Sequence, residues 1–149
     1  MDISTGFQIE HPKIFIRWGC SPSELQRLFV GHSLERIVPD MFSTSCTSLG
    51  GLSHRLRFDF RRQLWGLFMP RLSELHFSHH PYSQTGVVAL FEAFPKHLRA
   101  TFGEPSATTL DDSDYHYPSD TWTLPGVVIS YVVFQNHGGP EELLKFVKL

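Results

Sequence analysis

Several features that would place a protein in a specialised class are scarce or missing in this chain of 149 residues. Its two cysteines, Cys20 and Cys46, are too few for a disulfide framework and form no Cys-x-x-Cys pair. No apolar run approaches the roughly 20 residues that a membrane-spanning helix needs. The first residues, MDISTGFQIEHPK, lack the basic start and the apolar segment of a secretory signal. We therefore expect a soluble, cytoplasmic protein with reduced cysteines.

An excess of positive charge is also missing. Charged residues make up 19% of the chain and the formal net charge is −2, which does not favour nonspecific binding of nucleic acid. The charge is unevenly distributed, however. Residues 1–75 contain nine Lys/Arg and seven Asp/Glu, a balance of +2, whereas residues 76–149 contain four and eight, a balance of −4. Such a polarity can steer a charged partner towards the protein.

Two stretches predict helices, one in each half of the chain. In CSPSELQRLFVGH, Ser21 is a candidate N-cap, Pro22 stands at the first helical position, and Glu24 completes a capping box. In SQTGVVALFEAFPKHLRATFGEP, apolar residues recur at intervals of three and four, and Gly103 ends the pattern. Pro95 falls inside this second pattern and predicts a kink, because proline removes a backbone N–H and clashes with the preceding turn.

Strands are predicted for most of the remaining chain, whose 13 phenylalanines favour a sheet-rich core. In LSHRLRFDF, apolar and polar residues alternate and therefore face opposite sides of a sheet. GVVISYVVF is apolar on both faces, so we expect a central strand that is covered on both sides. Further candidate strands are KIFIRW, MFSTSCT, QLWGLFM, SELHFS, DTWTL and LLKFVKL.

These patterns predict an α+β protein with a mostly antiparallel sheet and two principal helices, folded as a single domain over residues 1–149. Helix, glycine, loop and strands follow in the same order in residues 13–78 and 83–149, and LGGLSHRLRFDF is similar to LPGVVISYVVF. Two interpretations stay open. Either the halves form a tandem pair of helix-plus-sheet units that share one sheet, or the chain is one irregular α+β domain.

Several segments resemble small bacterial proteins that act as immunity partners in polymorphic toxin systems. The segments span most of the chain and are IFIRWGCSPSELQRLF, LGGLSHRLRFDF, LRATFGEPS, the isolated Trp122 and the closing LLKFVKL. The tandem layout is also similar to that of secreted β-lactamase inhibitor proteins, although neither a signal peptide nor disulfides are expected here. The resemblance implies a binding protein of α+β architecture. It supplies no functional residue, because no functional motif matches.

The segment DDSDYHYPSD is the first candidate for a partner-binding surface. Its composition is that of an exposed loop, since aspartate, serine and proline favour turns. Tyrosine adds rigid contact area at low entropy cost, and the aspartates would complement a basic partner. A polar connection without a binding role is the alternative. The candidate residues are Asp111, Asp112, Asp114, Tyr115, Tyr117 and Asp120.

The polar side of LSHRLRFDF is the second candidate surface. It carries Arg55 and Arg57, and guanidinium groups bind carboxylates or phosphates through planar, two-pronged hydrogen bonds. Asp59 lies among them and partly neutralises their charge. The alternative is that this side of the strand is only solvated.

Signs of catalysis or metal binding are weak. His76, His79 and His80 lie close together, but Pro81 discourages the helical spacing that would bring them onto one face. Cys20 precedes a helix, yet no base is placed beside it. Neither a Gly-x-Ser-x-Gly elbow nor a phosphate-binding loop occurs. We predict no enzymatic activity, no bound metal and no cofactor. The alternative is a small metal-dependent enzyme or metal-binding protein that uses the His76–His80 cluster.

The sequence therefore predicts a cytoplasmic immunity protein. It would bind a cognate bacterial toxin and occlude the toxin's active site or substrate groove, with affinity concentrated in a few aromatic and charged side chains. We expect the chain to bind neither nucleic acid nor a membrane. A homodimer through an open sheet edge is compatible with the sequence.

Overall fold

The computed structural model describes residues 2–62, 69–78, 93–110, 118–136 and 139–149. Within them the chain forms two helices, α1 (Pro22–Leu28) and α2 (Ala93–Phe102). The strands are β1 (Gly6–Ile9), β2 (Ile14–Arg17), β3 (Glu35–Val38), β4 (Met41–Ser48), β5 (Leu52–Arg61), β6 (Arg71–Ser78), β7 (Ala107–Leu110), β8 (Pro118–Leu124), β9 (Val127–Asn136) and β10 (Gly139–Lys148). The predicted α+β class, with two helices and a mostly antiparallel sheet, is confirmed.

The strands form two sheets. β1 and β2 pair as a separate antiparallel hairpin. The other eight form one sheet in the order β3-β4-β5-β6-β10-β9-β8-β7, in which every neighbouring pair is antiparallel. Among the described elements, each half of the chain contributes a helix followed by four strands, and the last strands of the two halves, β6 and β10, pair at the centre. The division of the chain into repeated units stays a prediction.

α1 begins as its sequence predicts. The backbone N–H of Glu24 donates to Ser21 Oγ (3.2 Å), and the N–H of Ser21 donates to the Glu24 carboxylate (2.7 Å). This reciprocal pair satisfies two N–H groups that have no partner inside the helix. Leu25 and Phe29 are buried against the sheet, whereas Leu28 is exposed. One side of α1 therefore faces the core and the other faces solvent.

The described part of the second predicted helix is α2. Phe94 and Leu98 are fully buried on its inner face. Gly103 adopts a φ of +81°, a left-handed conformation that glycine tolerates and that ends a helix. The indole N–H of Trp122 donates to the carbonyl of Gly103 (2.8 Å), which ties the end of α2 to β8. Residues 79–92 lie outside the described part of the chain, so the predicted kink stays a prediction.

The alternation predicted for β5 is confirmed. Its apolar side is buried and faces the core: Leu52, His54, Leu56, Phe58 and Phe60. In the neighbouring β6, Leu72 and Leu75 are both buried although they are three residues apart. The pairing of β5 with β6 shifts by one residue at this point, which is a β-bulge. The bulge keeps both leucines in the core. The candidate strand QLWGLFM lies almost wholly outside the described residues.

One hydrophobic core fills one side of the eight-stranded sheet. The ring of Phe7 from the β1–β2 hairpin meets those of Phe77 and Phe146 edge-on, at centroid distances of 5.4 and 5.7 Å. Phe29 at the end of α1 packs against Phe58 at 5.8 Å, and Phe94 of α2 lies 6.4 Å from Phe77. The hairpin and both helices therefore cover the same side of the sheet.

β9 departs from its predicted environment. It lies inside the sheet, between β8 and β10, and Ile129, Tyr131 and Val133 are buried in the core. On its other side, Val132 is only partly buried and Phe134 is 39% exposed. Among the described elements, one face of β9 is covered and the other is not. The expectation of a strand covered on both sides is therefore not met there.

Candidate partner-binding face

The side of the eight-stranded sheet opposite the core, here called the open face, carries one continuous row of directly paired residues. The row follows the cross-strand partners of each strand in turn and crosses all eight strands. Its members are Glu35, Ser43, Arg57, His76, Lys145, Ser130, Thr121 and Ala107. The strands alternate core-facing and outward side chains, so these residues share one side of the sheet.

The row has its centre at the pair His76 and Lys145, which joins the two halves of the chain. On one side of this centre the row continues to Arg57 and ends at Glu35. On the other side it continues through Ser130 to residues without charge. Outward from this centre, the first half of the chain contributes β6, β5, β4 and β3, and the second half contributes β10, β9, β8 and β7. Each series therefore runs from the last strand of its half to the first, but the outward side chains of the two series differ. The row therefore carries its charges between Glu35 and Lys145 and none from Ser130 to Ala107, and these two parts of the open face are here called the charged half and the uncharged half.

The charged half is held together by two carboxylates. Arg57 donates to both oxygens of Asp59 through Nε and Nη2 (3.0 Å each), and His76 Nε2 lies 3.0 Å from Asp59 Oδ2. The same imidazole nitrogen lies 3.2 Å from Glu74 Oε2, which also accepts from Lys145 Nζ at 2.7 Å. Arg61 pairs with the second oxygen of Glu74. The charged network comprises Arg57, Asp59, Arg61, Glu74, His76 and Lys145.

Both carboxylates of the network are stabilised in their ionised form. Burial alone would raise the pKa of Asp59, but hydrogen bonds from His76 and Arg57 outweigh it and hold that pKa below its usual value. For Glu74, burial is likewise outweighed by hydrogen bonds from Lys145 and His76, and its pKa is also lowered. Neither carboxylate is therefore suited to exchange protons as a general acid or base near neutral pH.

The network presents its positive groups outward. The Arg61 side chain is 65% exposed, whereas its partner Glu74 is only 5% exposed. Arg57 is likewise more exposed than Asp59, which lies beneath it. The carboxylates therefore orient the cations from below, and the guanidinium groups face solvent. A surface of this kind favours acidic groups on a partner.

An apolar patch lies where the two halves meet and consists of Val132, Phe134 and Leu143, with the exposed Glu141 directly opposite Phe134. Leu143 pairs directly with Val132 across β10 and β9, and Phe134 is the next outward residue along β9. Phe134 and Leu143 are each 39% exposed. Leu143 lies two residues from Lys145 on the same strand, so the patch adjoins the charged network. Exposed apolar groups beside charged ones are characteristic of protein interfaces.

Of the three predicted partner-binding residues that the structure describes, two lie on the open face. Arg55 and Arg57 both lie on the open face, in the charged half. Asp111, Asp112, Asp114, Tyr115 and Tyr117 lie outside the described residues.

Asp120 is the exception among the candidate residues, because it lies on the core side of the sheet. It is 2% exposed, and its carboxylate accepts from Arg99 Nη2 (2.9 Å) and Thr108 Oγ1 (2.6 Å). Its expected place on an acidic surface is therefore corrected: the carboxylate is occupied in an internal ion pair that joins α2, β7 and β8.

Asp59, Glu74 and His76 meet the first requirement of a metal site, since their donor atoms lie within 4.8 Å of one another. Three cations nevertheless contact the same two carboxylates, from Arg57, Arg61 and Lys145. A divalent ion at this position would have to displace these groups or lie beside them. The arrangement therefore fits a closed network of ion pairs better than a metal site. His79 and His80, the other members of the predicted cluster, lie outside the described residues.

A serine–histidine pair that the sequence did not suggest lies in the core. Ser48 Oγ and His54 Nε2 are 2.5 Å apart, and Cys46 Sγ lies 4.0 Å from the same nitrogen. The alternation along β4 and β5 could have indicated this pair from the sequence, because it places the side chains of Cys46, Ser48 and His54 on one face of the sheet. Ser48 is fully buried and the His54 ring packs 5.0 Å from that of Phe77, so the hydroxyl that would have to attack a substrate is enclosed in the core.

The cysteines are equally unsuited to catalysis. Burial raises the pKa of Cys46 to about 12 and that of Cys20 to about 11. Both thiols therefore remain protonated at physiological pH, and the thiolate that a nucleophilic mechanism needs is not formed.

No family model, no curated protein and no solved structure matches the chain. Neither described helix has the length and apolar character required to cross a membrane. The open face is therefore the feature of the molecule from which we infer function.

Proposed function

We propose that the chain is a protein-binding module whose open face covers a functional surface of a partner protein. We further propose that the partner is a bacterial toxin, which the chain neutralises as an immunity protein. One observation carries the proposal: Phe134 and Leu143 are exposed on interior strands, and Leu143 lies two residues from Lys145, the member of the charged network nearest to the patch. The solvated face of an antiparallel sheet normally carries polar side chains, so exposed phenylalanine and leucine at outward positions favour a surface that a partner covers.

The dimensions of the open face suit a protein partner. Eight strands give seven inter-strand spacings of about 4.8 Å, so the face is about 34 Å wide. A footprint of this width and about 20 Å in height approaches the roughly 800 Å² that each partner contributes to a stable complex. The hydrogen-bonded sheet holds the face in one shape, which reduces the conformational entropy lost on binding.

Chemistry of the same residues supports binding over catalysis. The carboxylates of the charged network are held ionised and paired, and both thiols are held protonated. Groups in these states orient a partner but do not transfer protons or attack a substrate. The charged network, with an apolar patch next to its Lys145, supplies the charged and apolar contacts from which binding energy in interfaces usually comes.

Occlusion is the mechanism that follows from a rigid, preformed face. The apolar patch would bury its side chains against the toxin, and the charged network would set the orientation of the complex. Substrate would then be excluded from the covered site without any chemical change in either protein. The choice of a toxin as partner depends on the sequence resemblance to immunity proteins, and the open face supplies the surface that such a role requires.

The proposal is tested by a pair of matched variants. The tagged protein is used to capture its partner from source cells. The product of the neighbouring upstream gene is included as a candidate partner. Phe134→Asp places a charge in the apolar patch, whereas Phe15→Asp makes the same change at a phenylalanine of β2 that is 43% exposed and remote from the open face. Circular dichroism and thermal unfolding confirm that both variants are folded.

The expected result is capture of one stoichiometric partner that arrests growth when it is expressed alone. Wild type and Phe15→Asp should restore growth, while Phe134→Asp should weaken binding by about a hundredfold and fail to restore it. Equal binding by the two variants would contradict the use of the open face. A captured partner without toxicity would contradict the immunity role but not the binding function.

A further inference from the structure

A cavity of about 410 Å³ opens beside the charged half of the open face. It lies where the β4–β5 hairpin meets the turn of the β1–β2 hairpin, two residues along β5 from Arg57. Its lining combines one guanidinium, two imidazoles, one thiol and three hydroxyl groups. The contributing residues are His11, Ser45, Cys46, Thr47, Ser53, His54 and Arg55.

The pairing of the strands brings these donors together. Ser45 lies directly opposite Arg55, and Thr47 lies opposite Ser53 with its hydroxyl 3.2 Å from that of Ser53. His11 is added by backbone pairing, because its N–H donates to the carbonyl of Thr47 (3.2 Å) and its carbonyl accepts from the N–H of Thr47 (2.9 Å). The lining groups therefore come from two separate hairpins.

A carboxylate next in sequence to His11 ties the two hairpins together. Glu10, next to His11, accepts hydrogen bonds from the backbone N–H groups of Gly50 and Gly51, both at 2.8 Å. The two glycines adopt φ values of +79° and +92°, which other residues rarely reach. Both oxygens of the Glu10 carboxylate therefore accept backbone hydrogen bonds, and Glu10 does not line the cavity. Among the described residues that line the cavity, none carries a carboxylate.

Arg55 is already positioned to bind an anion. Ser43 Oγ accepts from its Nε (3.2 Å) and Nη2 (2.8 Å), which fixes the plane of the guanidinium. The carboxylate of Glu35, on the edge strand β3, also pairs with Nη2 and is largely exposed to solvent. An exposed ion pair of this kind contributes little to stability. The molecule therefore shows a carboxylate bound to Arg55 in a contact that a competing carboxylate could replace.

We propose that this cavity is an anion socket that receives the carboxylate of an aspartate or glutamate side chain from the protein partner. Arg55 supplies the charge, and the hydroxyl groups of Ser45, Thr47 and Ser53 supply further donors. Glu35 occupies the guanidinium in the free protein and is displaced on binding. The socket adds a specific contact to the proposed function. It rests on that function, because the carboxylate belongs to the proposed protein partner.

Small anions test the socket without any partner. Sodium acetate and inorganic phosphate are titrated separately into isotope-labelled protein at constant ionic strength, and chemical shifts of backbone amides and of the Arg55 side chain are followed by NMR. The expected result is saturable acetate-dependent shifts at Ser45, Thr47 and Ser53, with a Kd of about 1–10 mM. Arg55→Ala should abolish them. Arg62→Ala, which removes an exposed arginine beyond the cavity, should leave them unchanged.

Glu35→Gln provides a test that leaves Arg55 intact. Removal of the competing carboxylate should tighten acetate binding by about threefold to tenfold, because the guanidinium no longer has to release an internal partner. Weaker or unchanged acetate binding in Glu35→Gln would overturn the displacement mechanism. Shifts that do not saturate, or that persist in Arg55→Ala, would overturn the socket.

The probes also separate two sources of anion. Phosphate that binds more than about tenfold more tightly than acetate would overturn the assignment to a carboxylate side chain. Comparable binding would support it. Because neither probe involves a protein, failure of the titration removes the socket and leaves partner capture by the open face untouched. Failure of partner capture would leave a positive titration standing.

Discussion

Glu142 should make the stability of this protein fall as pH rises towards neutrality. The residue lies opposite Val133 on the core side of β10, and the Tyr131 hydroxyl donates to its Oε2 at 3.1 Å. Burial raises the pKa of Glu142 from 4.5 to about 7, although the hydrogen bond from Tyr131 partly opposes the rise. The folded protein therefore retains a proton on this group at pH values where the unfolded chain has lost it.

The sign and size of the effect follow from this difference. Between pH 4.5 and about 7 the folded state binds more protons than the unfolded state, so the free energy of unfolding decreases with pH. A rise of about 2.5 in pKa corresponds to about 3.4 kcal/mol at 1.36 kcal/mol for each pH unit. Partial exposure of Glu142 to solvent reduces this value. We expect a loss of about 2 kcal/mol above pH 7 compared with pH 4.5.

Glu142→Gln removes the effect while it keeps an acceptor for Tyr131. Urea unfolding of wild type and variant is measured from pH 4.5 to 8.5, and the difference between the two free energies isolates Glu142 from other titrating groups. The variant should match wild type near pH 4.5 and exceed it by about 2 kcal/mol at pH 8. Glu141→Gln, which removes the neighbouring exposed carboxylate, is the control. A difference that is independent of pH, or that has the opposite sign, would refute the reasoning.

Three further predictions concern the described fold. Asp120→Ala should lower the free energy of unfolding by about 2 kcal/mol, because it leaves the Arg99 guanidinium without its buried partner; a loss below about 0.5 kcal/mol would contradict the internal ion pair. Phe77→Ala should cost about 4 kcal/mol, since its ring contacts four other aromatic residues, and urea unfolding measures both changes. Zinc should leave the unfolding temperature of wild type unchanged, because cations already occupy the charged network; a stoichiometric rise would support the metal-binding alternative.

Local patterns account for the parts of the fold that the sequence predicts well. The capping box at Ser21 and the alternation of β5 depend on neighbouring residues only, so they are readable without knowledge of the tertiary structure. The same rule would have located Asp120. It stands two residues before Trp122 on β8, and residues two apart on a strand share a face, so a buried tryptophan implies a buried aspartate.

The candidate site is less readable because it is built from distant strands. Arg57, His76 and Lys145 become neighbours only through the registers of β5, β6 and β10, and the central pairing of β6 with β10 joins the two halves of the chain. The bulge in β6 adds a shift that no local pattern indicates. The exposure of the outer face of β9 could not be predicted either, because the sequence of an apolar strand is the same whether its outer face is covered by protein or exposed to solvent.

Side-chain footprinting of the partner complex tests the central claim most directly. Hydroxyl radicals oxidise exposed aromatic and aliphatic side chains, and mass spectrometry compares free and bound protein at Phe134, Leu143 and Phe15. If the open face binds the partner, oxidation of Phe134 and Leu143 should fall at least about fivefold in the complex, as expected for side chains buried at the centre of an interface, while Phe15 is unchanged. Protection of Phe15 with continued oxidation of Phe134 would contradict the account.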